Sequence, residues 1–322
     1  MSLLDPIESQ RLLDHYRKTK KGQTATTGYS SEIYVDNDSK TVLKLQLLYR
    51  PESDRSNFHS LQIYTEAYYR DIDDEYLQWY IPELRSKIKK GDLLSEDDFE
   101  QVESRAKHNF VDEVEALQIA SKAKLTPKTT GAGIVPIDGN DNLFAYGITV
   151  QRFLPFVLSQ EPKNSALFLC GVNGGLESLR ATLWSMAKLN LVHVDLNVGN
   201  IGCYPNLGNL QILDWGDVLV DIDALSKDLG KCKNLEEVIS ARNFYVIVSE
   251  FIRKIKCGYG TLFGVVQNEV SPFQVNSAII GPLEQWKEDA HLQLKGALRR
   301  SGCTLKHTPL RNIVDPIRYL KR

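Results

Sequence analysis

The sequence predicts an α+β fold, and three observations carry that expectation. Alternating apolar and polar residues, interrupted by turn residues, occupy 23–47 and 131–153 and read as strands. Elsewhere the apolar residues recur at helical spacing: Phe99, Val102, Ala106, Phe110, Val114 and Leu117 form one stripe, 176–189 reads as a buried helix, and 234–322 is mostly helical in pattern. The length of 322 residues allows one large domain or two lobes, with ample core for either.

Taken in order, residues 4–20 set Leu12, Leu13 and Tyr16 among charged residues and predict a short amphipathic helix that serves as a packing extension. Residues 23–27 are polar and β-prone. Residues 28–35 lead into a turn at Asp36-Asn37-Asp38 and then a strand over 41–47. Lys44 stands on that strand between apolar neighbours, where an unpaired ammonium is costly, so it should point at an anion. Residues 49–91 form a long insertion with an aromatic and acidic run from Tyr64 to Tyr80, followed by Lys87, Lys89 and Lys90. Aromatic stripes at helical spacing are more often core than binding surface, so the insertion reads first as a buttress and second as the place for a protein partner. Leu94-Ser95-Glu96-Asp97-Asp98 resembles a helix start with a capping box, and the stripe from Phe99 continues it. At about 100° per residue, Glu113 falls within roughly 40° of the middle of that stripe and Glu115 on the opposite face, so Glu113 is the inward carboxylate. Thr126-Pro127-Lys128 ends the helix, and two strand-like runs flank the turn at Asp138-Gly139-Asn140-Asp141.

The densest chemistry lies at 191–217. His193, Asp195, Asn197 and Asn200 fall on a loop too polar for a helix interior, with Gly199 interrupting it. Runs at 201–204 and 210–213 flank turn residues at 205–209 and predict a hairpin, which would return Asp214 to the neighbourhood of Asn200 and Asp195. Two carboxylates and a carboxamide oxygen converging on one spot suit Mg²⁺, which takes the rest of its shell from water and substrate phosphates.

The pattern H-x-D-x-x-x-x-N, a hairpin and then D-x-G resembles the catalytic loop and metal-binding triplet of the protein-kinase-like superfamily, which includes protein kinases and small-molecule phosphotransferases. The resemblance implies a two-lobed fold with a small antiparallel-sheet lobe and a mainly helical lobe. It divides the chain into an N-terminal helical extension (1–22), an N-lobe (23–155, carrying the 49–91 insertion) and a C-lobe (156–322). It also implies ATP and Mg²⁺ as cofactors. By motif position Asp195 is the catalytic base, Asn200 and Asp214 are metal ligands, and His193 braces the loop. Lys44 contacts the phosphates and Glu113 is its ion-pair partner. Gly28 and Val35 match the first glycine and the closing valine of the family's phosphate loop, whereas Ser30 and Ile33 replace its second and third glycines; Ser30 and Ser31 are the polar loop contacts. Arg152-Phe153-Leu154-Pro155-Phe156 occupies the place of the hinge that reads adenine, which assigns Gln151 and Phe153 to the nucleotide.

Several departures narrow the family. Val194 replaces the arginine that docks on a phosphorylated activation loop. Asn197 takes the position of the lysine beside the γ-phosphate, and no A-P-E motif follows Asp214-Trp215-Gly216-Asp217. The peptide-docking segment is drastically shortened, which leans toward a small-molecule phosphotransferase or an atypical kinase, including the compact kind of viruses and bacterial effectors. The acceptor is an unidentified protein or small molecule. Two rivals remain: a nucleotidyl transferase on the same fold, and a pseudokinase scaffold that the poor glycine loop favours.

A formal charge of −2 carries no signature of a nucleic-acid or membrane partner. The five cysteines (Cys170, Cys203, Cys232, Cys257, Cys303) are scattered and form no C-x-x-C pair, which fits a reducing compartment. No stretch reaches the about 18 apolar residues of a membrane span, so a cytoplasmic location is expected, the host cytosol included for a secreted effector. From Lys295 onward the tail is basic, which reads first as a solvated face and only second as an anion-binding site.

Overall fold

The computed structural model of the chain describes residues 1–19, 24–27, 31–49, 62–63, 108–137, 144–157, 175–193, 196–204, 210–219, 233–256 and 279–301. Gly28, Ser30 and Asp195 lie outside the described residues, as do most of the 49–91 insertion and all of 302–322. The architecture is α+β. The chain divides into two compact units, Met1–Ser121 with Pro127–Phe153, and Lys122–Thr126 with Leu154–Arg322. The sequence draws its boundary after residue 155 and gives all of 23–155 to the first lobe. Residues 122–126 belong instead with the second unit, because the N–H of Ile212 donates to the Leu125 carbonyl at 2.7 Å and Gln211 Nε2 donates to the Lys124 carbonyl at 3.0 Å.

The first unit opens with β1 (Ser2–Leu3) and α1 (Pro6–Thr19). The start of α1 is written in Asp5-Pro6-Ile7-Glu8. Asp5 Oδ1 accepts the Glu8 N–H at 2.8 Å and Glu8 Oε2 accepts the Asp5 N–H at 3.3 Å, a reciprocal cap of two otherwise orphaned donors, and Pro6 opens the helix where no N–H is needed. There follow β2 (Thr24–Thr27), β3 (Ser31–Asp36), β4 (Thr41–Tyr49), β5 (Gln62–Ile63), β6 (His108–Asn109), α2 (Phe110–Lys122), β7 (Thr129–Pro136) and β8 (Phe144–Arg152). The strand order is β1-β7-β8-β4-β3-β2, antiparallel except for β1 on β7, with β5 added to the far end of β4 and β6 to β5. The sequence stripe predicts an unbroken helix from Phe99. His108 and Asn109 are instead drawn into a ladder with Ile63 and Gln62, and α2 starts at Phe110; residues 94–107 lie outside the described residues.

Alternation on β4 sorts its side chains onto two faces. Leu43, Leu45 and Leu47 pack with Leu13 and Tyr16 of α1, so the N-terminal helix forms one wall of this core. Leu48 lies on the other face with Phe110 and Val114 of α2 and with Ala132 and Ala145. Gly147 on β8 permits the close approach of α2: a Cβ there would sit 2.9 Å from the Phe110 ring.

The β3–β4 turn is held by Asp36. Its carboxylate accepts the Ser39 hydroxyl at 2.6 Å and the Asp38 N–H at 3.0 Å, and His15 approaches at 3.4 Å. The Ser39 hydrogen bond is the main cause that lowers its pKa to about 2, against the opposing effect of burial. A carboxyl that titrates lower folded than unfolded stabilises the fold fully above its unfolded pKa, and this contribution is lost as pH falls through the folded one. Acid titration of the fold should therefore show a loss of stability between about pH 4 and pH 2 that Asp36→Asn diminishes. Urea unfolding across that range checks it, and an unchanged pH slope in the variant would refute the role.

The second unit contains β9 (Phe156–Val157), α3 (Gly175–Lys188), β10 (Val192–His193), β11 (Ile201–Cys203), β12 (Leu210–Ile212), β13 (Val218–Leu219), α4 (Leu235–Lys256) and α5 (Gly281–Arg300). Val238, Ile239 and Ala241 of α4 pack with Leu294, Ala297 and Leu298 of α5. Full burial of each large side chain there stabilises by about 1.5–3 kcal/mol. The end of α3 aims the chain toward the loop that follows. Asn190 takes the left-handed conformation at φ 60° and the Leu191 N–H returns to the Met186 carbonyl at 3.0 Å. Asn243 on α4 fixes this corner by donating from Nδ2 to the Ala187 carbonyl and to Asn190 Oδ1, both at 3.3 Å. Among the described residues no helix is long and apolar enough to cross a membrane.

Candidate functional site

In the first unit the central feature is Lys44. Its Nζ lies 3.0 Å from Glu113 Oε1, and the side chains are 13% and 2% exposed. Strand alternation turns Lys44 toward α2, and Glu113 lies in the first turn of that helix, where the positive end of the helix dipole favours a carboxylate. Gln46, two residues further along β4, donates from Nε2 to Glu113 Oε2 at 2.8 Å. Both carboxylate oxygens are thus engaged from one strand. The sequence signal for Gln46 is its place two positions from Lys44 on a strand, which puts both on one face.

Residues directly opposite in a sheet project from the same face. Ser31 pairs with Gln46, Ile33 and Thr149 flank Lys44, and Val35 and Gln151 flank Val42. Ser31, Val35 and Gln151, assigned to the nucleotide by sequence, therefore lie on the Lys44 face. Ser31 is the buried first residue of β3. Gln151 Nε2 donates to Thr129 Oγ1 at 3.1 Å. Phe153 is exposed and its N–H donates to the Lys40 carbonyl at 2.8 Å.

In the second unit the loop after α3 is fastened at both ends. Val192 and His193 of β10 pair with Leu219 and Val218 of β13, and Ile201 of β11 pairs with Ile212 of β12. One step beyond that ladder the Leu213 N–H donates to the Asn200 carbonyl at 2.8 Å, so the hairpin sets Asn200 opposite Leu213 and next to Asp214. His193 is fully buried. Its Nε2 lies 3.2 Å from the Leu213 carbonyl, which can only accept, so this nitrogen carries the hydrogen. Trp215 is buried against the His193 ring and donates from Nε1 to the Ile212 carbonyl at 3.0 Å.

Asp214 itself is exposed and left-handed, at φ 53° and ψ 70°. An aspartate tolerates this region better than most residues but at a conformational cost, and such strain concentrates at functional positions. Asn197 precedes a 3-10 turn at Val198–Asn200 and its Oδ1 accepts the Gly199 N–H at 2.8 Å, so its carbonyl oxygen caps the turn. The motif position assigns Asn197 to the γ-phosphate; the cap is a role that only the local turn reveals.

The donor set fits the metal that the sequence resemblance implies. Asn200 and Asp214 offer a carboxamide and a carboxylate at the base of one hairpin, where Asn200 stands opposite Leu213, the residue before Asp214. Among the described residues no group of three His, Cys, Asp or Glu side chains gathers, and Mg²⁺ does not require one, since it binds through one or two carboxylates with water and phosphate oxygens completing the shell. No protein-family profile matches the chain, and no curated protein matches it.

Proposed function

We propose that the protein is a phosphotransferase of two-lobed, kinase-like fold that moves the γ-phosphoryl group of Mg-ATP to a hydroxyl of a protein or small molecule. The observation that carries this reading is the buried Lys44–Glu113 pair at 3.0 Å. A buried ion pair adds little stability over apolar residues of the same volume, so its presence on the sheet face that also carries Val35 and Gln151 favours a task in anion binding. The hairpin that brings Asn200 beside Asp214, with the latter strained, supports the same reading.

In this reading Lys44, held by Glu113, binds phosphate oxygens of the nucleotide, and Val35 with Val42 forms apolar floor beside it. Asn200 and Asp214 hold Mg²⁺, which when bound neutralises charge on the phosphates. Asp195, outside the described residues, accepts the proton of the attacking hydroxyl. His193 and Trp215 keep the Asp214 segment in place through the Leu213 and Ile212 carbonyls. Positioning and charge neutralisation then supply most of the rate, because the transition state is loose.

Incubation with γ-labelled and, separately, α-labelled ATP in the presence of Mg²⁺ and a cell extract as acceptor source tests the proposal. Transfer of the γ-label alone, lost in Asp195→Asn, is the expected result. Transfer of the α-label would replace the reading with nucleotidyl transfer, and no transfer beside retained Mg-ATP binding would replace it with a scaffold.

A further inference from the structure

A buried polar side chain bonded to the Lys44–Glu113 pair has no place in the chemistry so far. Gln46 is 1% exposed, donates to Glu113 Oε2 from Nε2, and leaves its own Oε1 buried without a hydrogen-bond partner among the described residues. A buried orphan acceptor is costly, and Gln46 shares its face of β4 with Leu48, whose core neighbours are apolar. The amide cannot turn over to relieve it, since that would set its oxygen against a carboxylate. Stability of the sheet therefore does not account for a glutamine here, and its N–H to Glu113 does.

We infer that Gln46 is a positioning residue: it grips the second oxygen of Glu113, so that the first is presented to Lys44 and the ammonium is held ready for an anionic ligand. The geometry is a two-point grip from one strand. Lys44 and Gln46 are two residues apart on β4, project from one face, and engage Oε1 and Oε2 respectively. Among the described residues Lys44 engages one oxygen of the carboxylate and Gln46 the other, so a rotation about its last bond has to break both hydrogen bonds. Thr149, opposite Lys44 on β8, and Ser31, opposite Gln46 on β3, border the grip on either side. That the ligand is the phosphate of a nucleotide rests on the function proposed above; the grip itself does not.

The test compares wild type with Gln46→Met, which keeps length and removes the donor, and Gln46→Glu, with Glu113→Gln as calibrant. Melting temperature reports folding, peptide mass spectrometry reports the rate at which a succinimidyl ester acylates Lys44, and initial rates report KM and kcat for Mg-ATP. With Gln46→Met the protein should melt near wild type, Lys44 should acylate about tenfold faster, toward the Glu113→Gln rate, and KM should rise about tenfold with a smaller change in kcat. In Gln46→Glu a protonated carboxyl can donate to Glu113 and an ionised one repels it. The charged groups facing the position among the described residues are Lys44 and Glu113, so KM and acylation should approach wild type as pH is lowered. Wild-type acylation of Lys44 in Gln46→Met, or pH-independent behaviour in Gln46→Glu, overturns the grip. If wild type neither binds Mg-ATP nor transfers phosphoryl, the proposed function falls, while the Lys44 acylation rates still decide the role of Gln46.

Discussion

Lys44→Ala should abolish phosphotransfer and destabilise the first unit at the same time, and only the second loss should be repairable. Glu113 is 2% exposed and sits 3.0 Å from the ammonium. Removal of the cation leaves a buried carboxylate with the Gln46 amide still on Oε2, a change that typically costs about 3–5 kcal/mol. Turnover should fall at least about a hundredfold, the scale for losing one preorganised charge in a phosphate site. Replacing the whole group together, Lys44→Met with Gln46→Leu and Glu113→Leu, removes the desolvated polar atoms of the trio and should recover a large part of the lost stability. Activity should stay absent. Urea unfolding and γ-label turnover on the same preparations separate the two effects. A triple variant that regains activity would sink the role of the pair, and a Lys44→Ala protein as stable as wild type would show that the pair is not desolvated in solution.

The second large effect is expected at Asp214, where activity should fall far more than stability. Its backbone is left-handed at φ 53°, a region that favours glycine. Asp214→Gly removes the Cβ strain but also the carboxylate's own interactions, and it adds freedom to the unfolded chain, so stability should change by no more than about 1 kcal/mol. Asp214→Val, β-branched at the same position, should destabilise by about 1–2 kcal/mol. Both variants lose the carboxylate proposed to hold Mg²⁺, so both should lose about a thousandfold in Mg²⁺-dependent turnover. Thermal melts and a Mg²⁺ titration of activity measure the two quantities. An Asp214→Gly protein with wild-type turnover would remove this residue from the site, and a larger loss of stability would show that Asp214 contributes to the fold in a way its backbone does not suggest.

The contrast between these two positions shows how unevenly the candidate site can be read from the chain. Lys44 stands out because alternation on a strand is local, and Glu113 because helical periodicity aims it inward; the two sit 3.0 Å apart although 69 residues separate them. The hairpin after Asn200 is likewise a short-range signal, written in turn residues between two apolar runs. Asp214 is visible as a carboxylate, but its left-handed backbone is not, because that follows from the fastening of its neighbours Leu213 and Trp215 to His193, Asn200 and Ile212. Asn197 similarly has a cap role set by the turn it starts.

Local pattern in the chain suffices for the α+β class, the strand that carries Lys44, and the hairpin return that sets Asn200 opposite Leu213, all of which depend on periods and turns a few residues long. Tertiary structure alone decided the parallel pairing of Ser2–Leu3 with Gly131 and Ala132, the strand at His108–Asn109 in place of helix, the transfer of 122–126 to the second unit, the anchoring of Asn190 by Asn243, and the use of Gln46 at Glu113. Each of these joins residues dozens of positions apart. Backbone donors and buried amides take whatever partner the packed neighbours present, and no local pattern encodes which surfaces will meet.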